Sequence, residues 1–211
     1  MKPLRWTLWV SLSAVLLAAA SYAAERAANF RLTGVDGKTY ELKQVASKGK
    51  AVLLNFWEVN CKPCKQEMPQ IQRIYETYQP AGLRVLVISR DTSLTLSRVK
   101  PFVASQKWDF PVLLDPELKV SKDYHVKFSP VNILISAKGE ILYRHNGYKP
   151  GNEDELERAV VKALKLTSDE VTKLKVAYEK SEPTLEPAKA KSEEAASADD
   201  GGDTNDSGAE S

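Results

Sequence analysis

The chain has two cysteines, and they sit two residues apart in the stretch NFWEVNCKPCKQEMPQ, from Asn55 to Gln70. Three chemistries use cysteines this close together. A structural zinc needs four Cys or His ligands. Beyond Cys61 and Cys64 the chain offers only His125 and His145, without paired spacing, so no metal is expected. A structural staple is a poor use of the spacing, because a disulfide stabilises more as the loop it closes lengthens. Strained short disulfides are also reducible. A redox pair fits better. The apolar run Ala51–Trp57 reads as a strand buried on both faces, and it delivers the chain to a helix that begins near Cys61. A cysteine at a helix N-terminus meets unpaired N–H groups and the positive end of the helix dipole. Both stabilise the thiolate, which is the attacking species, and Lys62 adds a positive charge beside it. Cys61 is then the expected nucleophile. Cys64, one turn into the helix, is the more buried thiol that resolves a mixed disulfide. The redox centre would be the Cys61–Cys64 disulfide itself, with no separate cofactor.

The elements around this motif alternate. Residues 29–32 and 39–42 read as short strands around an Asp36-Gly37 turn. Residues 64–78 have helical spacing, with Met68, Ile71, Ile74, Tyr75 and Tyr78 on one side. Leu83–Ser89 is a second buried strand. Residues 94–107 are helix-like, although Pro101 should break or kink them. A short strand over 110–115 and a short helix over 117–124 follow. Val131–Ser136 and 140–144 form a hairpin. Residues 152–165 form an amphipathic helix with Leu156, Val160, Ala163 and Leu164 inward, and Thr167-Ser-Asp-Glu170 is a capping box opening a last helix to Lys180. Strands alternating with helices imply an α/β fold with a parallel sheet, here carrying an antiparallel edge.

The two ends differ from the middle. Lys2 and Arg5, an apolar stretch from Trp6 to Ala20 and the small-x-small site Ser21-Tyr22-Ala23 read as a signal peptide over residues 1–23. The alternative is an uncleaved anchor over residues 4–20, which is short for a spanning helix of ~20 apolar residues. Either version takes the domain to a periplasmic or otherwise exported, disulfide-permitting space. At the other end, residues 181–211 hold Glu182, Glu186, Glu193, Glu194, Asp199, Asp200, Asp203, Asp206 and Glu210 against Lys189 and Lys191, a net −7 in a chain of +2. This tail has one Leu and no aromatic residue, and is expected to be disordered. The moderately basic remainder has no basic run interleaved with aromatics, so no nucleic-acid partner is expected.

The segment NFWEVNCKPCKQEMP resembles the active-site segment of exported thioredoxin-like reductases of the TlpA/ResA type, within the AhpC/TSA-related redoxin superfamily. The similarity covers residues 30–166. It rests on Phe56-Trp57 before the motif, C-x-P-C, Glu67-x-Pro69 after it, Phe128-Ser129-Pro130 before the strand VNILIS, and the Lys138-Gly139 turn. The resemblance implies a thioredoxin fold, a central mixed sheet flanked by helices with an N-terminal β-hairpin extension. That domain would span residues 24–166, with an extra C-terminal helix over 167–180. Pro130 is implied to be a cis proline that turns the Ser129 backbone toward Cys61, where it pairs with an extended substrate. Glu67 is implied to manage the cysteines' protons, a role suited to a buried carboxylate with a raised pKa. Trp57, Asn60, Lys62 and Pro63 would line the docking surface with Ser129, with Trp57 serving as core and active-site packing rather than as a redox partner. The implied partners are disulfide-containing protein substrates, apocytochromes c among them, and a membrane thiol-electron transporter that recharges a monomeric enzyme. A membrane contact of its own would require an uncleaved N-terminal segment.

Three positions depart from the pattern. Cytosolic thioredoxins carry an acid in the strand where this chain has Asn55. The residue before the nucleophile is usually aromatic but is Asn60 here, and Glu58 replaces a small residue. Three other functions compete. Disulfide oxidation or isomerisation is the opposite direction of the same chemistry; Pro63 resembles reductants, while Lys62 would raise the potential. A peroxiredoxin would share the fold, but its Thr or Ser and Pro positions are Glu58 and Leu54 here. A non-enzymatic interaction module would use the acidic tail.

Overall fold

The computed structural model describes residues 25–181. The signal-peptide or anchor segment and the acidic tail beyond Ser181 lie outside the described residues. Among the described residues, no helix is long and apolar enough to cross a membrane.

The elements are β1 (Arg31–Thr33), β2 (Thr39–Glu41), α1 (Leu42–Ala46), β3 (Ala51–Trp57), α2 (Lys62–Tyr78), β4 (Leu83–Ser89), α3 (Leu96–Ser105), β5 (Val112–Leu114), α4 (Lys119–Asp123), β6 (Val131–Ser136), β7 (Ile141–Asn146), α5 (Asn152–Leu164) and α6 (Ser168–Ser181). Five strands form one mixed sheet in the order β5-β4-β3-β6-β7. β3, β4 and β5 are parallel, while β6 and β7 are antiparallel to their neighbours. β1 and β2 form a separate antiparallel hairpin. It is tied to the β5 edge by the Val35 N–H, which donates to the Val112 carbonyl at 2.9 Å. This is the α/β thioredoxin architecture with its hairpin extension, as expected.

The position of the central strand explains why its sequence is apolar at every residue but Asn55. Every residue of β3 is buried. Val52, Leu54 and Phe56 face one cluster, with Phe30, Leu42, Val120 and Tyr124 of the hairpin, α1 and α4. Ala51, Leu53 and Trp57 face the other, with α2, α3 and α5. A strand with helices on both faces has no polar side to spare. Each large aliphatic side chain buried this way contributes about 1.5–3 kcal/mol relative to exposure. α2 buries the stripe read from sequence, Met68, Ile71, Ile74, Tyr75 and Tyr78, and with it Cys64 and Glu67.

Both internal prolines were tolerated rather than disruptive. α3 runs unbroken through Pro101, against the expected break, and α2 through Pro69. Each proline is exposed, as are Ser97 and Lys65 four residues earlier. Water can therefore serve the carbonyl that the missing N–H leaves free.

The capping box of α6 forms as read. The Glu170 carboxylate accepts from the Thr167 N–H at 2.8 Å, and the Glu170 N–H donates to the Thr167 hydroxyl at 3.3 Å. α6 buries no residue fully. Lys175 anchors it on the Glu157 carboxylate of α5 at 2.6 Å. Arg73 and the Tyr78 hydroxyl of α2 donate to the same carboxylate at 2.9 and 2.6 Å. Burial alone would raise the Glu157 pKa, but these three donors hold it down, to about 2.

Candidate active site

β3 ends at Trp57, and four residues later the chain enters α2. Cys61 is the N-cap, with extended backbone, and its Sγ accepts the Cys64 N–H at 3.2 Å. The sulfur thus takes the place of the usual capping oxygen. Pro63 lies in the first turn, where a missing N–H costs nothing. The cysteines form a disulfide with their Cα atoms 5.3 Å apart. Cys61 is half-buried and Cys64 fully buried, the difference in access expected of an attacking and a resolving thiol. Asn60 and Lys62 are exposed on either side of Cys61, and Pro63 is half-buried. The approach loop is fixed from β4: the Val59 N–H donates to Asp91 Oδ2 at 2.9 Å, and the Ser89 hydroxyl donates to the same oxygen at 2.9 Å.

One turn beyond Cys64, on the same face of α2, Glu67 is 3 % exposed. It meets no cation. Asn55 Nδ2 donates to its Oε2 at 3.0 Å and Asn132 Nδ2 to its Oε1 at 2.6 Å. The two asparagines are register partners across β3 and β6, and Asn55 Nδ2 also donates to Asn132 Oδ1 at 2.9 Å. Burial pushes the Glu67 carboxyl up and outweighs both amide bonds, leaving its pKa at about 7, with the Glu153 charge adding to the rise. Asn132 was missed in the sequence. Its signal was there, a polar side chain inside VNILIS on a strand otherwise apolar, matching Asn55 inside AVLLNFW.

The Ser129–Pro130 peptide is cis. β6 runs antiparallel to β3 with Val131 opposite Phe56. The cis peptide therefore lies at the end of the sheet where β3 leads to Cys61. Pro130 is buried and Ser129 half-buried.

Trp57 does not line the surface as its place among the docking residues required. It is wholly buried, its ring 5.5 Å from those of Phe102 and Trp108. A side chain on an inward position of the central strand supports the site from beneath and has no face to offer a substrate. His125 is exposed and His145 stacks on Tyr143; neither belongs to the site.

Glu58, whose purpose was not legible from the motif, has a partner from another strand end. Arg90, 8 % exposed, donates to Glu58 Oε1 at 2.6 Å and to the Ser129 hydroxyl at 3.1 Å. Arg90 was also missed. The first charge after an apolar strand is commonly just a strand end, and nothing local marks it as buried.

A family model described as the AhpC/TSA family matches residues 23–144. The thiol-disulfide oxidoreductase ResA of Halalkalibacterium halodurans is 36% identical over 126 residues, 59% of this chain and 69% of that protein. The ResA of Bacillus cereus is 37% identical, over 56% of this chain and 66% of the relative. Among solved structures, a putative thiol:disulfide interchange protein DsbE from Chlorobium tepidum superposes with a TM-score of 0.61 at 28% identity, covering 67% of this chain and 96% of that one. The exposed lipoprotein thioredoxin of Streptococcus pneumoniae does so with a TM-score of 0.54 at 28% identity, covering 65% and 98%. With a disulfide at the head of α2 on a thioredoxin fold, and relatives of this kind, the chain belongs to the AhpC/TSA family and is a thiol-disulfide oxidoreductase of the ResA/DsbE type.

Proposed function

We propose that the protein is a reductase of protein disulfides that works outside the cytoplasm. The observation that carries this reading is the pairing of an accessible capping sulfur with a buried second sulfur one turn from a carboxyl poised near neutrality.

In the reduced protein, helix N–H groups hold Cys61 as a thiolate. It attacks one sulfur of a substrate disulfide. A mixed disulfide forms, and the substrate's other sulfur leaves as a thiolate and takes up a proton. Glu67, as a carboxylate, accepts the proton of the Cys64 thiol. Cys64 then attacks Cys61 Sγ, the mixed disulfide breaks, and the second substrate sulfur is released. Two electrons have passed to the substrate, and the protein is left as the Cys61–Cys64 disulfide, the form described above. A dithiol donor at the membrane returns the electrons by the reverse exchange, with Glu67 giving its proton back to Cys64. The cis Ser129–Pro130 peptide supports the reading of Ser129 as the backbone against which an extended substrate pairs.

Pro63 between the cysteines and the identity to the ResA relatives support the reducing direction. The leader-like residues 1–23 support export. Apocytochromes c before haem attachment are the substrates that the family resemblance points to.

The test is direct. The purified domain is expected to reduce a protein disulfide, Cys61→Ser to abolish the reaction, and Cys64→Ser to accumulate mixed disulfides that identify the substrates. Full activity of Cys61→Ser would end the proposal. A potential near that of strong oxidants, ~−120 mV, would reverse its direction.

A further inference from the structure

Arg90 makes an unusual set of contacts for a buried cation. Its guanidinium donates to Glu58 Oε1 at 2.6 Å, Ser129 Oγ at 3.1 Å, Ser121 Oγ at 3.3 Å and the Lys127 carbonyl at 3.4 Å. Its own N–H donates to the Trp57 carbonyl at 2.9 Å. The Ser129 hydroxyl closes the ring by donating to Glu58 Oε1 at 3.3 Å. Ser121 is in turn held by Asp115, which accepts its N–H and its hydroxyl, both at 2.8 Å. The side chain thus joins the segment that leads into Cys61 to the segment that ends in the cis proline. These two segments flank the disulfide, and they are 71 residues apart in sequence.

Fold stability is a poor explanation for this arrangement. A buried ion pair gains little over an apolar packing of the same volume, because desolvation of the charges offsets their attraction. Here the carboxylate is 39 % exposed while the guanidinium is 8 % exposed, so desolvation falls chiefly on the arginine. What a planar fork with several fixed donors supplies is geometry. It sets the spacing of Glu58, Lys127 and Ser129, and its hold on the Ser129 hydroxyl orients that residue.

We propose that Arg90 is a positioning residue for substrate docking, which sets the distance between the Cys61 approach loop and the Ser129 backbone so that an extended protein segment, rather than a small disulfide, is presented to Cys61. The proposal rests on the reductase reading above. Glu58 belongs to this clamp as its acceptor on the Cys61 approach loop.

Three variants test it: Glu58→Gln, which alters only a half-exposed side chain, Arg90→Lys, and Arg90→Met, which fills the same space. Each is assayed on insulin, as a protein disulfide, and on the small aromatic disulfide DTNB, with the potential of the Cys61–Cys64 pair measured alongside. Loss of one charge-assisted hydrogen bond is worth about tenfold. Glu58→Gln is expected to raise KM for insulin by about that factor, with kcat, the DTNB rate and the potential unchanged. Arg90→Met should lose more, Arg90→Lys should recover part of it, and adding Glu58→Gln to Arg90→Met should cost nothing further. Equal losses on both substrates, or a shifted potential, would overturn the clamp and leave the reductase reading standing. A wild-type protein that reduces neither disulfide would overturn that reading and the clamp with it.

Discussion

Glu67 and Glu157 are both glutamates on the inward side of a helix, and both are buried. Their surroundings send them in opposite directions. Glu157 joins α5 to α2 and α6 through Arg73, the Tyr78 hydroxyl and Lys175, and stays ionised down to about pH 2. Glu67 is hydrogen-bonded by the side-chain amides of Asn55 and Asn132, which orient it without supplying charge, and it titrates at about 7. A carboxylate with cations is a structural tie. A carboxylate with amides alone is left able to take and give a proton near neutral pH. The contrast separates the end of the molecule that holds helices together from the end that does chemistry.

Removing the proton carrier should have the largest effect. General acid–base groups contribute roughly 10²–10⁴-fold, so Glu67→Gln is expected to slow resolution of the mixed disulfide by about a hundredfold at pH 7. Stopped-flow kinetics of the second exchange step would measure this, and an unchanged rate would remove Glu67 from the mechanism. The same variant tests the titration through stability. The folded pKa of Glu67 lies above its unfolded value of 4.5. Its contribution is therefore complete below about pH 4.5 and is lost as pH rises through about 7. The shift corresponds to roughly 3 kcal/mol. Urea melts between pH 5 and 8 should show the wild type losing stability that Glu67→Gln keeps.

Glu157→Ala should do the converse. It strands Arg73, Lys175 and the Tyr78 hydroxyl, and because both cations are partly exposed the loss is expected near 2 kcal/mol rather than the ~3–5 kcal/mol of a fully buried pair. Its disulfide exchange rate at pH 7 should equal that of the wild type. A large rate defect without unfolding would erase the distinction drawn here. The Glu157 pKa is depressed, so its contribution is present above about pH 4.5 and fades as pH falls toward 2; thermal melts across that range would show it absent from the alanine variant.

The smallest change moves one end toward the other. Asn55→Asp would place a second carboxyl against Glu67, and two carboxyls in one buried site titrate in separated steps. The alkaline shift of the pH–rate profile is expected to be about one unit. No shift would mean that the Asn55 position does not communicate with the proton carrier.

Much of the fold was legible because it is written locally. The apolar run of β3, broken only by Asn55, the inward stripe of α2 and the Thr167–Glu170 box each lie within one element, where period and capping chemistry act over a few residues. The cysteine pair and Glu67 were legible for the same reason, as one turn of helix places them together. Pro101 was expected to break or kink its helix, and it does not break it, because its penalty depends on whether Ser97 meets water or protein, which periodicity does not state. Trp57 was legible as packing at the site, but its strand position, read without the opposite layer, does not say that Phe102 and Trp108 cover it and leave it no docking surface.

The sequence by itself determined most of the elements and the redox pair, since each follows from neighbours along the chain. Only the tertiary structure decided which polar groups meet. Asn132 reaches Glu67 from 65 residues away, Arg90 reaches Glu58 from 32, and Glu157 reaches Arg73 from 84. Those meetings are set by the strand order β5-β4-β3-β6-β7 and by its register. They keep one buried glutamate ionised and raise the pKa of the other to about 7, because a carboxyl's pKa depends on the charges and burial that the fold places around it, not on its own position in a helix.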